Sequence, residues 1–148
     1  MIKLYSMTGC GSSKKARQWL INQGLEFEEI NLDKDALSYE DFLKILSLTE
    51  EGIEDVISRR SQSFSKLGSA LDSMSISELF KMVEENRTLL RRPLIIDEQR
   101  LQVGFNDDNI RKFLPRKVRR IEIQEALSTV KERYLEKMTE EFNQVFAS

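Results

Sequence analysis

The stretch "MIKLYSMTGCGSSKKARQWLINQGLEFEEINL", Met1 to Leu32, decides the fold. "IKLYS" is a short apolar segment that reads as a strand ending near Ser6. Between Ser12 and Asn22, Ala16, Trp19 and Leu20 recur at helical spacing, with Lys and Arg on the opposite side. Gly24 stands where a helix commonly ends on a left-handed residue. "LEFEEINL", Leu25 to Leu32, alternates apolar and acidic positions and reads as a second strand. Strand, helix, strand predicts a parallel β-α-β unit, because a crossover is what joins parallel neighbours.

The chain beyond Leu32 changes character. Ser38 followed by Asp41 is a capping-box variant, ahead of Phe42, Leu43, Ile45, Leu46 and Leu48. Gly52 marks a helix break, and Ser75 with Glu78 forms a second cap before Ile76, Leu79, Phe80 and Val83. "RRPLIIDEQRLQVGF", Arg91 to Phe105, then predicts a hairpin turning at "DEQ". A short helix is expected from Asp107 to Phe113, ended by Pro115. From Ile121 to Phe146, residues Ile123, Leu127, Val130, Tyr134, Met138, Phe142 and Val145 share one stripe of an amphipathic helix. That stripe could pack on the domain, on a partner or on a second copy. The element order is that of an α/β, thioredoxin-like fold: a mixed four-stranded sheet with an inserted helical subdomain and a C-terminal helix. The expected organisation is a discontinuous thioredoxin-like domain (1–33 and 91–120), a helical insert (34–90) and a helical tail (121–148).

Composition narrows the function. With 148 residues, 40% hydrophobic and 32% charged, the chain can bury a core without disulfides or metals. It has no histidine and one cysteine, which leaves zinc-finger and iron–sulfur readings without ligands and implies no metal or cofactor. No apolar run is long enough to cross a bilayer, so no membrane association is expected. A single free thiol fits a reducing, cytoplasmic compartment. Between Arg87 and Arg120 there are ten basic residues against four acidic, while the remainder carries thirteen against twenty-one. The densest basic run is "RKFLPRKVRR", Arg111 to Arg120. Alone, such a run is most simply a solvated face, since only Phe113 is available there for base stacking.

The lone thiol, Cys10, falls between the first strand and the first helix. There a sulfur faces unpaired helix N–H groups, which favour its ionised form, and Lys14 and Lys15 add positive potential. The simpler alternative is an inert, buried small residue. Ser13 stands three positions on, where a dithiol protein would carry a second cysteine. Its hydroxyl can stabilise a thiolate by hydrogen bonding but cannot close a disulfide. Oxidation of Cys10 would therefore end as sulfenic acid, a mixed disulfide or an intermolecular bridge.

Cys10 with "KKARQWL", the segment "LTEEGIEDVISRRS" and above all "LLRRPLIIDEQRLQVGFNDDNIRKFLPRKVR" resemble the Spx group of the arsenate reductase-like family, over Met1 to about Ala126. The resemblance implies a transcriptional regulator that binds the C-terminal domain of the RNA polymerase α subunit in thiol stress. Promoter DNA would be met only within the polymerase complex. It implies that Cys10 and Ser13 occupy the two positions of a CxxC switch, which the serine disables, with Arg92 beside them. It further implies that Gly52 lies at the polymerase-binding surface, with Lys14, Arg17 and Gln18 as candidate contacts. Arg60 then lies in a DNA-proximal position, with Gln62 where the familiar pattern has lysine. Family tails are read by the ClpXP protease, whereas this chain continues through a further helix.

The rival reading is catalytic. Arsenate reductases of this fold often carry a Cys-Gly-x-Ser turn, and "CGSS" from Cys10 to Ser13 matches it. In them the thiol attacks arsenate, arginines hold the oxyanion, and glutathione or glutaredoxin resolves the adduct. Bidentate guanidinium groups suit such an anion. Arg60 and Arg92 fill two of three expected positions, but Val103 and Gly104 stand where the third is expected. Losing one charge-assisted hydrogen bond forfeits about 1.5–3 kcal/mol. A glutathione-dependent monothiol oxidoreductase would also use Cys-x-x-Ser, but no glutathione site is legible.

Overall fold

The computed structural model describes residues 1–60, 64 and 68–146. Strand β1 (Ile2–Ser6) leads into helix α1 (Gly11–Asn22), and β2 (Phe27–Asn31) returns beside β1. Helices α2 (Tyr39–Ser47) and α3 (Ile76–Glu85) follow, with short 3-10 turns at Ile53–Asp55, Gly68–Ser73 and Arg87–Leu89. The hairpin β3 (Leu94–Ile96) and β4 (Leu101–Val103) completes a four-stranded sheet of order β2-β1-β3-β4. β1 and β2 are parallel; β1 with β3, and β3 with β4, are antiparallel. The mixed thioredoxin-like sheet expected from the element order is therefore present.

Local chemistry accounts for the element ends. Ser38 accepts from the Asp41 N–H at 3.1 Å and starts α2. Ser75 and Glu78 form a reciprocal capping box at the start of α3, satisfying two otherwise unpaired donors. Gly24 follows the cap of α1 at φ 66°, a conformation that side chains disfavour. The hairpin turn is closed by the Asp97 carboxylate, which accepts from the N–H groups of Gln99 and Arg100. The expected helix at 107–113 is a 3-10 turn over Asn109–Phe113. Pro115 does more than end it: its carbonyl accepts from the Arg119 N–H and opens the next helix.

The sheet separates two cores by strict alternation. Leu4 and its cross-strand partner Ile95 face α1, where they pack with Ala16, Leu20, Ile110 and Phe113. Tyr5 and Leu94 face the other way, into a larger core with Leu32, Phe42, Ile45 and Val83. The residues between β2 and β3 thus close one face of the sheet and share a core with it. The Arg92–Pro93 peptide bond is cis.

Residues Met1–Phe113 form one compact unit and the chain from Leu114 onward forms a second. The second unit is dominated by α4 (Arg116–Phe146), which begins before the amphipathic pattern at Ile121. No helix among the described residues is long and apolar enough to cross a membrane.

Leu4 is completely buried between the strands and α1. Leu4→Ala is expected to cost about 2–5 kcal/mol through lost transfer energy and the cavity it leaves. Urea unfolding followed by circular dichroism would measure this as a lower midpoint at unchanged slope.

Candidate functional site

Cys10 is the N-cap residue of α1, with extended backbone (φ −85°, ψ 112°) and no side-chain capping bond. The turn before it needs Gly9 at φ 77°. The Cys10 N–H donates to the Met7 carbonyl, and the Cys10 carbonyl accepts from Lys14 N–H, both at 3.2 Å. This holds the sulfur at the open end of the helix, partly exposed.

Burial is the largest influence on the thiol and opposes its ionisation. The Ser13 hydroxyl, the N–H groups of Ser13 and Ser12, and the nearby Arg92 charge act together in the other direction. The net effect is a thiol pKa below its ordinary value. Ser13 is fully buried, and its hydroxyl has no hydrogen-bond partner of good geometry among the described residues. Arg92 contributes a buried Nη1 that also has no hydrogen-bond partner among the described residues.

A second structural device brings more cations here. Ile57 and Leu90 form an isolated antiparallel bridge. Ser58 N–H donates to the Leu89 carbonyl at 2.6 Å, and Arg91 N–H to the Val56 carbonyl at 2.8 Å. The residues that follow on each side are Arg59 and Arg60, and Arg91 and Arg92. All four line an open cleft of about 1050 Å³ that also contains Cys10. From the β4 side the cleft is lined by Leu101, Val103, Gly104 and Phe105. Arg100, the nearest arginine in sequence, is tied to Asp97 at 3.4 Å in the hairpin turn. The lining is therefore mixed: four arginines and the three acidic residues Glu50, Glu54 and Asp55, with uncharged residues contributed from the β4 side.

The remaining sequence-derived residues are distributed as follows. Gly52 precedes the 3-10 turn at φ 90°, ψ −146°, a backbone region that only glycine enters readily. Its loop is fixed by the Asp55 carboxylate, which accepts from the N–H groups of Glu50 and Glu51. Apart from its two chain neighbours, a Cβ at Gly52 would meet no atom of the described residues within 4 Å, so the space there is open. Lys14 and Gln18 are exposed on α1. Arg17 is engaged internally: its Nη2 donates to Glu29 Oε2 at 2.9 Å, and Ser6 Oγ donates to the same oxygen at 3.0 Å. Hydrogen bonds from Arg17 hold the Glu29 carboxyl below its usual range. Gln62 lies outside the described residues. Arg59 and Arg91 were missed by sequence reasoning; the signal was two Arg-Arg pairs, but nothing local joins them.

A thiol at a helix start, on a four-stranded mixed sheet with a helical insert, defines the class: a thioredoxin-like fold with one cysteine in a cleft that also holds four arginines. The ArsC family matches residues 5–113, and the chain belongs to this family. It is 45% identical over 130 residues to the global transcriptional regulator Spx of Listeria innocua, covering 88% of this chain and 99% of that one. It is 46% identical over 126 residues to the global transcriptional regulator Spx of Bacillus subtilis, covering 85% and 96%. Among solved structures, an ArsC family related protein from Bacteroides fragilis shares the fold at TM-score 0.63 and 23% identity, covering 75% of this chain and 95% of that one. An arsenate reductase from Vibrio cholerae does so at TM-score 0.63 and 20% identity, covering 76% and 97%.

The lowered thiol pKa has a direct readout. Alkylation of Cys10 by iodoacetamide, followed by intact mass across pH, is expected to reach half its maximal rate below the value for an ordinary cysteine. Ser13→Ala removes the hydroxyl donor and is expected to move that midpoint upward, slowing modification at neutral pH.

Proposed function

We propose that this protein is a transcriptional regulator of the Spx type, which docks on the C-terminal domain of the RNA polymerase α subunit and acts in thiol stress. The observation that carries the reading is the match to regulators named Spx over nearly their whole length. The apolar β4 wall of the cleft supports it. A tetrahedral oxyanion beside a thiolate is stabilised by donors and cations aimed at it; the β4 side of the cleft contributes no charged side chain, and Glu50, Glu54 and Asp55 add negative charge. In this reading the open surface at Gly52, with exposed Lys14 and Gln18, meets the α subunit. Arg17 contributes by holding Glu29 and β2, not by free contact. Arg60, exposed at the cleft rim, then faces promoter DNA, and Gln62 would adjoin it.

Docking and DNA contact cooperate by linkage. A protein with net charge −2 binds DNA weakly alone, but polymerase docking holds its cations at high local concentration. Ser13 leaves Cys10 without an intramolecular partner, so regulation by an internal disulfide is absent in this reading. Any redox response would pass through an external thiol or a second chain. Turnover of the chain by the ClpXP protease through its C-terminus belongs to the same proposal.

A second reading is favoured by one feature. Cys10 lies in a cleft with four arginines, which suits an arsenate reductase-like enzyme resolved by glutathione or glutaredoxin. The missing hairpin cation places it behind the regulator.

Calorimetry with the purified C-terminal domain of the polymerase α subunit tests the proposal. Saturable one-to-one binding is expected, unchanged by peroxide. Gly52→Arg adds bulk to the open surface, while Gly52→Ala carries the backbone strain with little bulk. Gly52→Arg is expected to weaken binding by about a hundredfold and Gly52→Ala by about tenfold or less. Absence of binding by the unmodified chain would overturn the proposal.

A further inference from the structure

Helix α4 runs for 31 residues, about 46 Å at the α-helical rise. Long helices in water owe their stability mainly to packing of an apolar face. None of α4's residues is buried, yet it carries such a face. Ile123, Leu127, Val130, Tyr134, Met138 and Val145 are each between 49% and 69% exposed. Ile123, Tyr134 and Val145 are eleven apart, as are Leu127 and Met138. An eleven-residue repeat gives about 3.67 residues per turn, so the stripe stays nearly straight along the helix. It lies outside the segment that matches the ArsC family.

The charges on this face say what covers it. At 100° per residue, the stripe continues N-terminally as Arg116 and Arg120, and it is interrupted near its C-terminal end by Glu141. The same polarity opposes the helix's own dipole: the first turn has no acidic residue and the last has no basic one. A single helix is therefore charged wrongly at its start. A second copy laid antiparallel corrects this. With Arg120 opposite Glu141, the same register sets Ile123 opposite Met138 and Leu127 opposite Tyr134, with Val130 near the two-fold axis. A parallel pair would instead face Arg120 with Arg120 and Glu141 with Glu141, a like-charge arrangement that costs affinity.

We propose that α4 is a homodimerisation element, pairing antiparallel with α4 of a second copy of this chain through the Ile123–Met138 part of the stripe and two Arg120–Glu141 contacts. The proposal is independent of the functional reading above.

Sedimentation equilibrium of the full chain tests it, alongside cross-linking in a Cys10→Ser background. The wild-type chain is expected to be a reversible dimer. Arg120→Glu or Glu141→Arg alone is expected to weaken it by about tenfold, and the double exchange to restore it within about threefold. Mixed Ile123→Cys and Met138→Cys chains are expected to form a heterodisulfide under mild oxidation, whereas Ile123→Cys alone does not cross-link efficiently. A monomer at all concentrations, a dimer indifferent to the charge exchange, or self-cross-linking of Ile123→Cys would each overturn it.

Discussion

The candidate site depends on one short backbone bridge, Ile57 to Leu90. Its flanking hydrogen bonds, Ser58 to Leu89 and Arg91 to Val56, tie the segment after α2 to the chain entering β3. Both bridged residues are almost fully buried, at 1% exposure each. A hydrogen bond shielded from water is costly to leave unmade, so the bridge holds wherever the core holds. Its consequence is electrostatic. Two Arg-Arg pairs from distant parts of the chain are brought to one cleft, beside a sulfur at the start of α1.

That cleft has a mixed lining, and the mixture bears on the chemical possibilities. It holds guanidinium groups, including an Arg92 nitrogen without a hydrogen-bond partner among the described residues. It also holds Glu50, Glu54 and Asp55, with Val103, Gly104 and Phe105 from the β4 side. The Ser13 hydroxyl, the nearby N–H groups and Arg92 lower the Cys10 pKa. A multiply charged oxyanion in the same cleft would gain no cation from the β4 side and would meet three acidic residues.

Strands and helix starts are plain in the sequence where their determinants are local. Alternation in "LEFEEINL", the position of Gly24 and the Ser38 and Ser75 caps each act within a few residues. Leu25 and Glu26 fall outside β2, although the alternation includes them. The site was less legible. Cys10 and Ser13 announce themselves by spacing, but nothing near Ile57 predicts its pairing with a residue 33 positions later. Arg17 reads as a free contact on an amphipathic helix; only the parallel packing of β2 shows Glu29 beneath it. The 3-10 geometry at Asn109–Phe113 likewise reflects tertiary packing of Ile110 and Phe113, which a helical spacing cannot separate from an α-turn.

In the proposed reading the chain works by docking through the open surface at Gly52, and the cleft holding Cys10 and its arginines is not a centre of turnover. Steady-state reduction of arsenate, with glutathione and glutaredoxin as donors, tests it most directly. The account predicts a rate no higher than that of Cys10→Ser. Sustained turnover by the unmodified chain, abolished in Cys10→Ser and sharply reduced in Arg92→Ala, would contradict it.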